Sequence, residues 1–82
     1  MLPKVISVQP KPNYVLEVVF ENDEIRSFSV EPFLQYTVYK PLQDVHFFNE
    51  VAVKYGTVVW GEEELIDFDP YTIYTDGEII KH

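Results

Sequence analysis

Residues 58–74 read VVWGEEELIDFDPYTIY and change structural type every few positions. Such punctuation leaves no room for a long helix, and the rest of the fold must be organised around it. Thr57, Val58, Val59 and Trp60 are β-branched or aromatic, which suits a pleated, half-buried strand. Gly56 and Gly61 bracket that strand and supply turn chemistry at both ends. Glu62, Glu63 and Glu64 form a solvated patch, because three adjacent carboxylates cannot be buried without partners. Leu65, Ile66 and Phe68 return the chain to the core, with Asp67 and Asp69 on the opposite side of an extended segment. Asp69-Pro70 reads as an N-cap followed by proline at the first helical position. The turn of helix over residues 71–74 then ends near Asp76-Gly77.

The segments before this stretch are equally short. Residues 4–9 alternate loosely, with Ile6 and Val8 on one face, and end at Pro10 and Pro12. Residues 13–21 are the strongest strand: Tyr14, Leu16, Val18 and Phe20 fall on one dry face, and Val15, Glu17, Val19 and Glu21 on a mixed one. Asn22-Asp23 is a turn, and residues 24–30 return as a third strand of an antiparallel meander. Glu31-Pro32 ends that strand, since proline removes a ladder donor. Asp44 is positioned to cap a short helix over residues 45–50, with Phe47 and Phe48 aimed at the sheet. Residues 51–55 and 57–60 are two more strands joined tightly at Gly56, residues 65–68 add a sixth, and residues 78–82 form a ragged strand or a disordered end. With no crossover helix, a parallel βαβ sheet is ruled out. The reading is an α+β fold over residues 1–82 as a single domain: one small antiparallel sheet under short helices.

Composition then limits the chemistry. A chain of 82 residues buries only about 60–65% of its unfolded surface. Its 46% apolar and 16% aromatic content nevertheless predicts an ordered globule rather than an acidic disordered tail. No cysteine is present, so disulfides and thiolate–zinc sites are excluded. The segment MLPKVISVQP is too short and too regularly alternating for a signal peptide, and no apolar run approaches the roughly 20 residues of a membrane span. A cytoplasmic protein is expected. Fourteen acids against six bases give a net charge of −8, which opposes direct binding to nucleic-acid phosphates and would steer a basic partner.

The order of segments resembles a small prokaryotic family, DUF2442. The resemblance rests on KVISV at residues 4–8, YVLEVVF at 14–20, FSVEPFL at 28–34, YKPL at 39–42 and Phe47-Phe48, then YGTVVW at 55–60 and DFDPYTIY at 67–74. It implies a small antiparallel α+β fold with no assigned activity. In some relatives it also implies a fused helix-turn-helix, or a genetic pairing suggestive of toxin–antitoxin systems. This chain departs from the pattern in the glycine-free turn at Asn22-Asp23-Glu24 and in the more acidic Glu62, Glu63 and Glu64. Ending at His82, it is expected to carry no DNA-reading helix-turn-helix, so a regulatory role would act through a partner.

No constellation of catalytic residues emerges. His46 lies in the Phe-rich helix and His82 is terminal; Ser7, Ser27 and Ser29 lie on strands without an evident base. Three scattered glycines make no phosphate loop. The sequence therefore points to no enzyme, no cofactor and no metal, and to contact with a protein: a basic partner, or a second copy in a homodimer. Glu62, Glu63 and Glu64 are the candidate charged contacts, and Tyr36, Tyr39 and Tyr71 the candidate exposed aromatics. Trp60, Phe20, Phe28, Phe47, Phe48 and Tyr74 are assigned to packing. Two rivals stand beside this reading. One is a small metal-dependent or enzymatic domain using the acidic segment 62–69, where Asp67 and Asp69 offer hard oxygen ligands. The other is a nucleic-acid-binding regulator acting with a partner.

Overall fold

The computed structural model describes residues 2–61 and 65–81; Met1, Glu62, Glu63, Glu64 and His82 lie outside the described residues. In chain order the elements begin with strands β1 (Val5–Lys11), β2 (Val15–Phe20) and β3 (Ile25–Ser29). Two 3₁₀ helices follow, Glu31–Phe33 and Thr37–Gln43, and then helix α1 (Val45–Phe48). Strands β4 (Ala52–Lys54), β5 (Thr57–Trp60) and β6 (Ile66–Phe68), helix α2 (Pro70–Asp76) and strand β7 (Glu78–Lys81) complete the chain. The class is α+β and antiparallel, as the sequence indicates, but the strands form two sheets rather than one. A four-stranded sheet runs β1-β2-β3-β7, and a three-stranded sheet runs β4-β5-β6. The terminal residues are thus a true strand, β7, paired antiparallel with β3. Among the described residues no helix is long and apolar enough to cross a membrane.

β2 is the centre of the larger sheet. Leu16, Val18 and Phe20 are fully buried on its inner face, while Val15, Glu17 and Val19 are only partly covered on the outer one. Tyr14 does not extend this strand: it sits in the preceding turn at φ 62°, after Asn13 at φ 65°. In β1 the expected pairing of Ile6 with Val8 fails. The register slips between Val5 and Ser7, so Val5 is buried and Ile6 is 56% exposed. β1 also runs through Pro10 to Lys11, which its place at the sheet edge tolerates. At the turn between β2 and β3, Asp23 adopts φ 70° and the Asn22 side-chain oxygen accepts from the Glu24 amide. An Asx turn with a left-handed aspartate thus replaces the missing glycine.

The smaller sheet supplies the other half of the core. β5 lies between β4 and β6, and all four of its residues are buried, not half-buried. Val58 and Trp60 face the larger sheet, joined there by Ile66 and Phe68 from β6. Thr57 points the other way, and its hydroxyl donates to the Phe68 carbonyl across the ladder. Leu65, expected in the core, is 73% exposed, because the strand begins only at Ile66. The sheets meet where the Val5 amide donates to the Gly56 carbonyl at 3.0 Å, and one apolar cluster spans both.

Helices fill the gaps. α1 is shorter than expected, ending at Phe48; four residues have little helical stability of their own. It is held by Asp44, whose carboxylate accepts from the His46 amide at 2.9 Å, and by the buried Phe48 ring. Asp69 caps α2 in the same way, accepting from the Tyr71 amide at 2.9 Å. Arg26 of β3 fastens α2 to the larger sheet. Its guanidinium pairs with Glu24 at 2.6 Å, donates to the Tyr74 carbonyl at 2.6 Å and lies 3.8 Å from the Tyr74 ring centroid. The Tyr74 hydroxyl closes the loop by donating to Glu24 at 3.1 Å.

Gly77 ends α2 without the left-handed twist expected of a terminal glycine, at φ −74° and ψ 146°. Its requirement is space: a Cβ there would meet the Ile73 carbonyl oxygen at 2.6 Å and the Arg26 Cβ at 3.3 Å. Gly77→Ala is therefore expected to lower stability by about 2 kcal/mol, as overpacking against backbone does. Urea unfolding of the variant beside the parent measures it, and an unchanged midpoint would contradict the assignment.

Candidate functional site

The segment after β3 carries aromatic side chains from the core out to solvent. Pro32 stops the strand and starts a 3₁₀ turn in which the Leu34 amide donates to the Glu31 carbonyl. Tyr36 is extended, at φ −84° and ψ 140°, and its carbonyl accepts from the Tyr39 amide at 3.0 Å to open the next 3₁₀ helix. Leu42, fully buried, anchors that helix, and the Gln43 side chain donates back to the Leu34 carbonyl at 3.1 Å. These bonds tie the surface segment back onto the core.

Its rings form a graded series. Phe68 is buried, and Phe33 meets it edge-to-face at 5.1 Å. Tyr39 is half-buried and stacks flat on Phe68, with centroids 4.5 Å apart and planes 4° from parallel. It also meets Phe33 edge-on at 6.0 Å. Tyr36 lies against Phe33 at 6.5 Å and is 54% exposed. Val38, between the two tyrosines, is 59% exposed. Tyr36, Val38 and Tyr39 thus make an apolar ledge whose inner edge belongs to the core. The exposed carboxylate of Asp67, next to Phe68, lies close enough to act on Tyr39. Burial first, and the Asp67 charge second, raise the Tyr39 hydroxyl above its ordinary value of 10.0.

The remaining candidates are dispersed. Tyr71 is 57% exposed on α2 and makes no ring contact with Tyr36 or Tyr39 among the described residues. Asp69 is engaged in capping α2, whereas Asp67 stands exposed on β6. Among the described residues no three His, Cys, Asp or Glu side chains group as metal ligands would; the part of the acidic-site reading that rests on Glu62, Glu63 and Glu64 lies outside them. His46 is exposed on α1.

Tyr55, expected at the end of a strand, lies instead in the turn after β4. It is 85% exposed at the tip of the β4–β5 hairpin and adopts φ 56°, followed by Gly56 at φ 75°. A two-residue turn with both φ values positive ordinarily takes Asn-Gly or Asp-Gly. The dipeptide Tyr55-Gly56 between two β-rich runs was the available signal: an aromatic residue occupies a position that backbone sterics disfavour for it.

The Tyr39 environment has a consequence at alkaline pH. A hydroxyl whose pKa is higher folded than unfolded contributes stability fully below pH 10 or so, and loses it as pH rises through the folded value. Melts between pH 8 and 11 are expected to fall above about pH 10, and Tyr39→Phe should flatten part of that fall. Asp67→Asn should move the Tyr39 ultraviolet titration toward its ordinary value; an unmoved titration would show that the carboxylate does not act on the ring.

Two comparisons with known proteins, one with curated proteins and one with solved structures, return no match. Comparison with family patterns does, across residues 5–78, from the first residue of β1 to the first of β7. The chain belongs to the DUF2442 family, described as proteins of unknown function.

Proposed function

We propose that this domain is a non-enzymatic binding module that receives a basic segment of another protein on the ledge of Tyr36, Val38 and Tyr39. The observation that carries the reading is the exposure of Tyr36 and Val38 on a segment whose backbone is hydrogen-bonded into 3₁₀ turns and anchored by buried Leu42. Tyrosine on a preordered backbone contributes large contact area with little loss of side-chain freedom, which is what an interface anchor requires. Charge supports a basic partner. The net charge of −8 favours its approach, and the exposed carboxylates of Glu31 and Asp67 flank the aromatic series in sequence. Neutralisation of a basic toxin is one setting that fits this chemistry, as is a regulatory role exercised through such a partner.

Self-association is a second reading, and β7 favours it. That strand is an edge of the larger sheet, unpaired on its outer side among the described residues, with Ile79 43% and Ile80 55% exposed.

The test is retention of a protein from native host lysate on the immobilised domain, at low and moderate salt. A stoichiometric basic protein is expected, with retention reduced at least tenfold by Tyr36→Ser with Val38→Ser, and weakened by salt and by Glu62→Gln, Glu63→Gln and Glu64→Gln together. Equal retention by the ledge variant would refute the assignment of the surface. Absence of any partner, with a concentration-dependent dimer mass in sedimentation, would replace the proposal by self-association.

A further inference from the structure

The turn between β1 and β2 and helix α1, which follows the ledge segment in the chain, line an open cavity of about 320 Å³. Pro10, Pro12, Tyr14, Val45 and Phe48 make it predominantly apolar. Lys11, Asn13 and Asn49 line it as well, and none of their side chains has a hydrogen-bond or ion-pair partner among the described residues. The neighbouring Asp44 carboxylate, the nearest anion in sequence to Val45, is occupied in capping α1.

The cavity wall is fixed by a residue that backbone sterics alone would not place there. Tyr14 at φ 62° lies in a region that bulky residues rarely adopt, at a cost of order 1–2 kcal/mol. Three contacts hold it: its hydroxyl donates to the Gln43 carbonyl at 2.6 Å, its carbonyl accepts from the Val30 amide at 2.8 Å, and its ring meets Phe48 edge-on at 5.4 Å. The cavity is therefore preformed. Its size is at the small end of ligand pockets, suited to one six-membered ring with a short substituent.

We propose that this cavity binds a small aromatic carboxylate. The ring would lie among the prolines, Tyr14 and Phe48; the carboxylate would take the Lys11 ammonium as its charge partner and the amides of Asn13 and Asn49 as donors. The acidic surplus of the whole chain opposes anions at long range, so recognition is by contact.

Amide-resolved NMR titration of the full chain with phenylacetate, benzyl alcohol and benzylamine tests it. Phenylacetate is expected to move the Asn13, Tyr14 and Asn49 amides saturably, at least fivefold more tightly than benzyl alcohol, with benzylamine weakest. Lys11→Ala should erase the preference for the acid. Val45→Trp, at a site 54% exposed, should fill the mouth and abolish binding; if that substitution disturbs the fold, Lys11→Ala carries the decision. No saturable shift with any probe, equal binding of all three, or an acid preference that survives Lys11→Ala would overturn the proposal.

Discussion

The structure depends on the indole of Trp60, fully buried between the two sheets, donating its N–H to the Phe48 carbonyl at 2.9 Å. A three-stranded sheet with strands of three or four residues has little stability of its own and must cover its inner face with something else. Trp60 provides that cover and joins it to α1. Phe48 is the last residue of a four-residue helix; its carbonyl accepts from the Val51 amide at 3.3 Å, and the indole N–H adds a second, shorter bond to the same oxygen. Around it, Phe48 at 6.0 Å and Phe68 at 5.9 Å extend the aromatic packing toward the larger sheet.

That arrangement explains why aromatic side chains dominate both the core and the exposed ledge. In a chain this small, a few large rings must bury most of the apolar area. Phe28, Phe33, Phe68 and Tyr39 lie in contact, and the series continues to Tyr36 at the surface without a break. The ledge is thereby packed directly onto the core. Elsewhere the chain places bulky residues where only a strained backbone can hold them, at Tyr14 and Tyr55. Tyr14 is compensated by three contacts and helps to build a cavity wall. Tyr55, 85% exposed, has no ring contact or hydrogen bond of its side chain among the described residues.

Much of the fold was legible because its signals are local. Alternation revealed the buried face of β2, and Asp44 and Asp69-Pro70 marked both helix starts through the need to satisfy free amides. What local signals do not carry is pairing. The division into two sheets follows from which edges meet, as does the burial of β5 on both faces, and neither leaves a mark on periodicity. The slip at Ile6 is likewise invisible, since one extra residue in a strand preserves composition while reversing the faces. Among the candidate site residues, Tyr36 and Tyr39 are brought together by Phe33, whereas Tyr71 stands apart on α2. Hydropathy does not distinguish these tyrosines; tertiary contacts do.

The core does the folding, and the outward aromatics are surplus to it. Tyr55 is the sharpest case, because the residue sits in a left-handed position better suited to asparagine. Equilibrium urea unfolding of Tyr55→Asn measures it directly. The variant is expected to be at least as stable as the parent, by up to about 1 kcal/mol. A loss of more than about 1 kcal/mol, the size expected when a contributing contact is removed, would contradict it by showing that the Tyr55 side chain supports the fold.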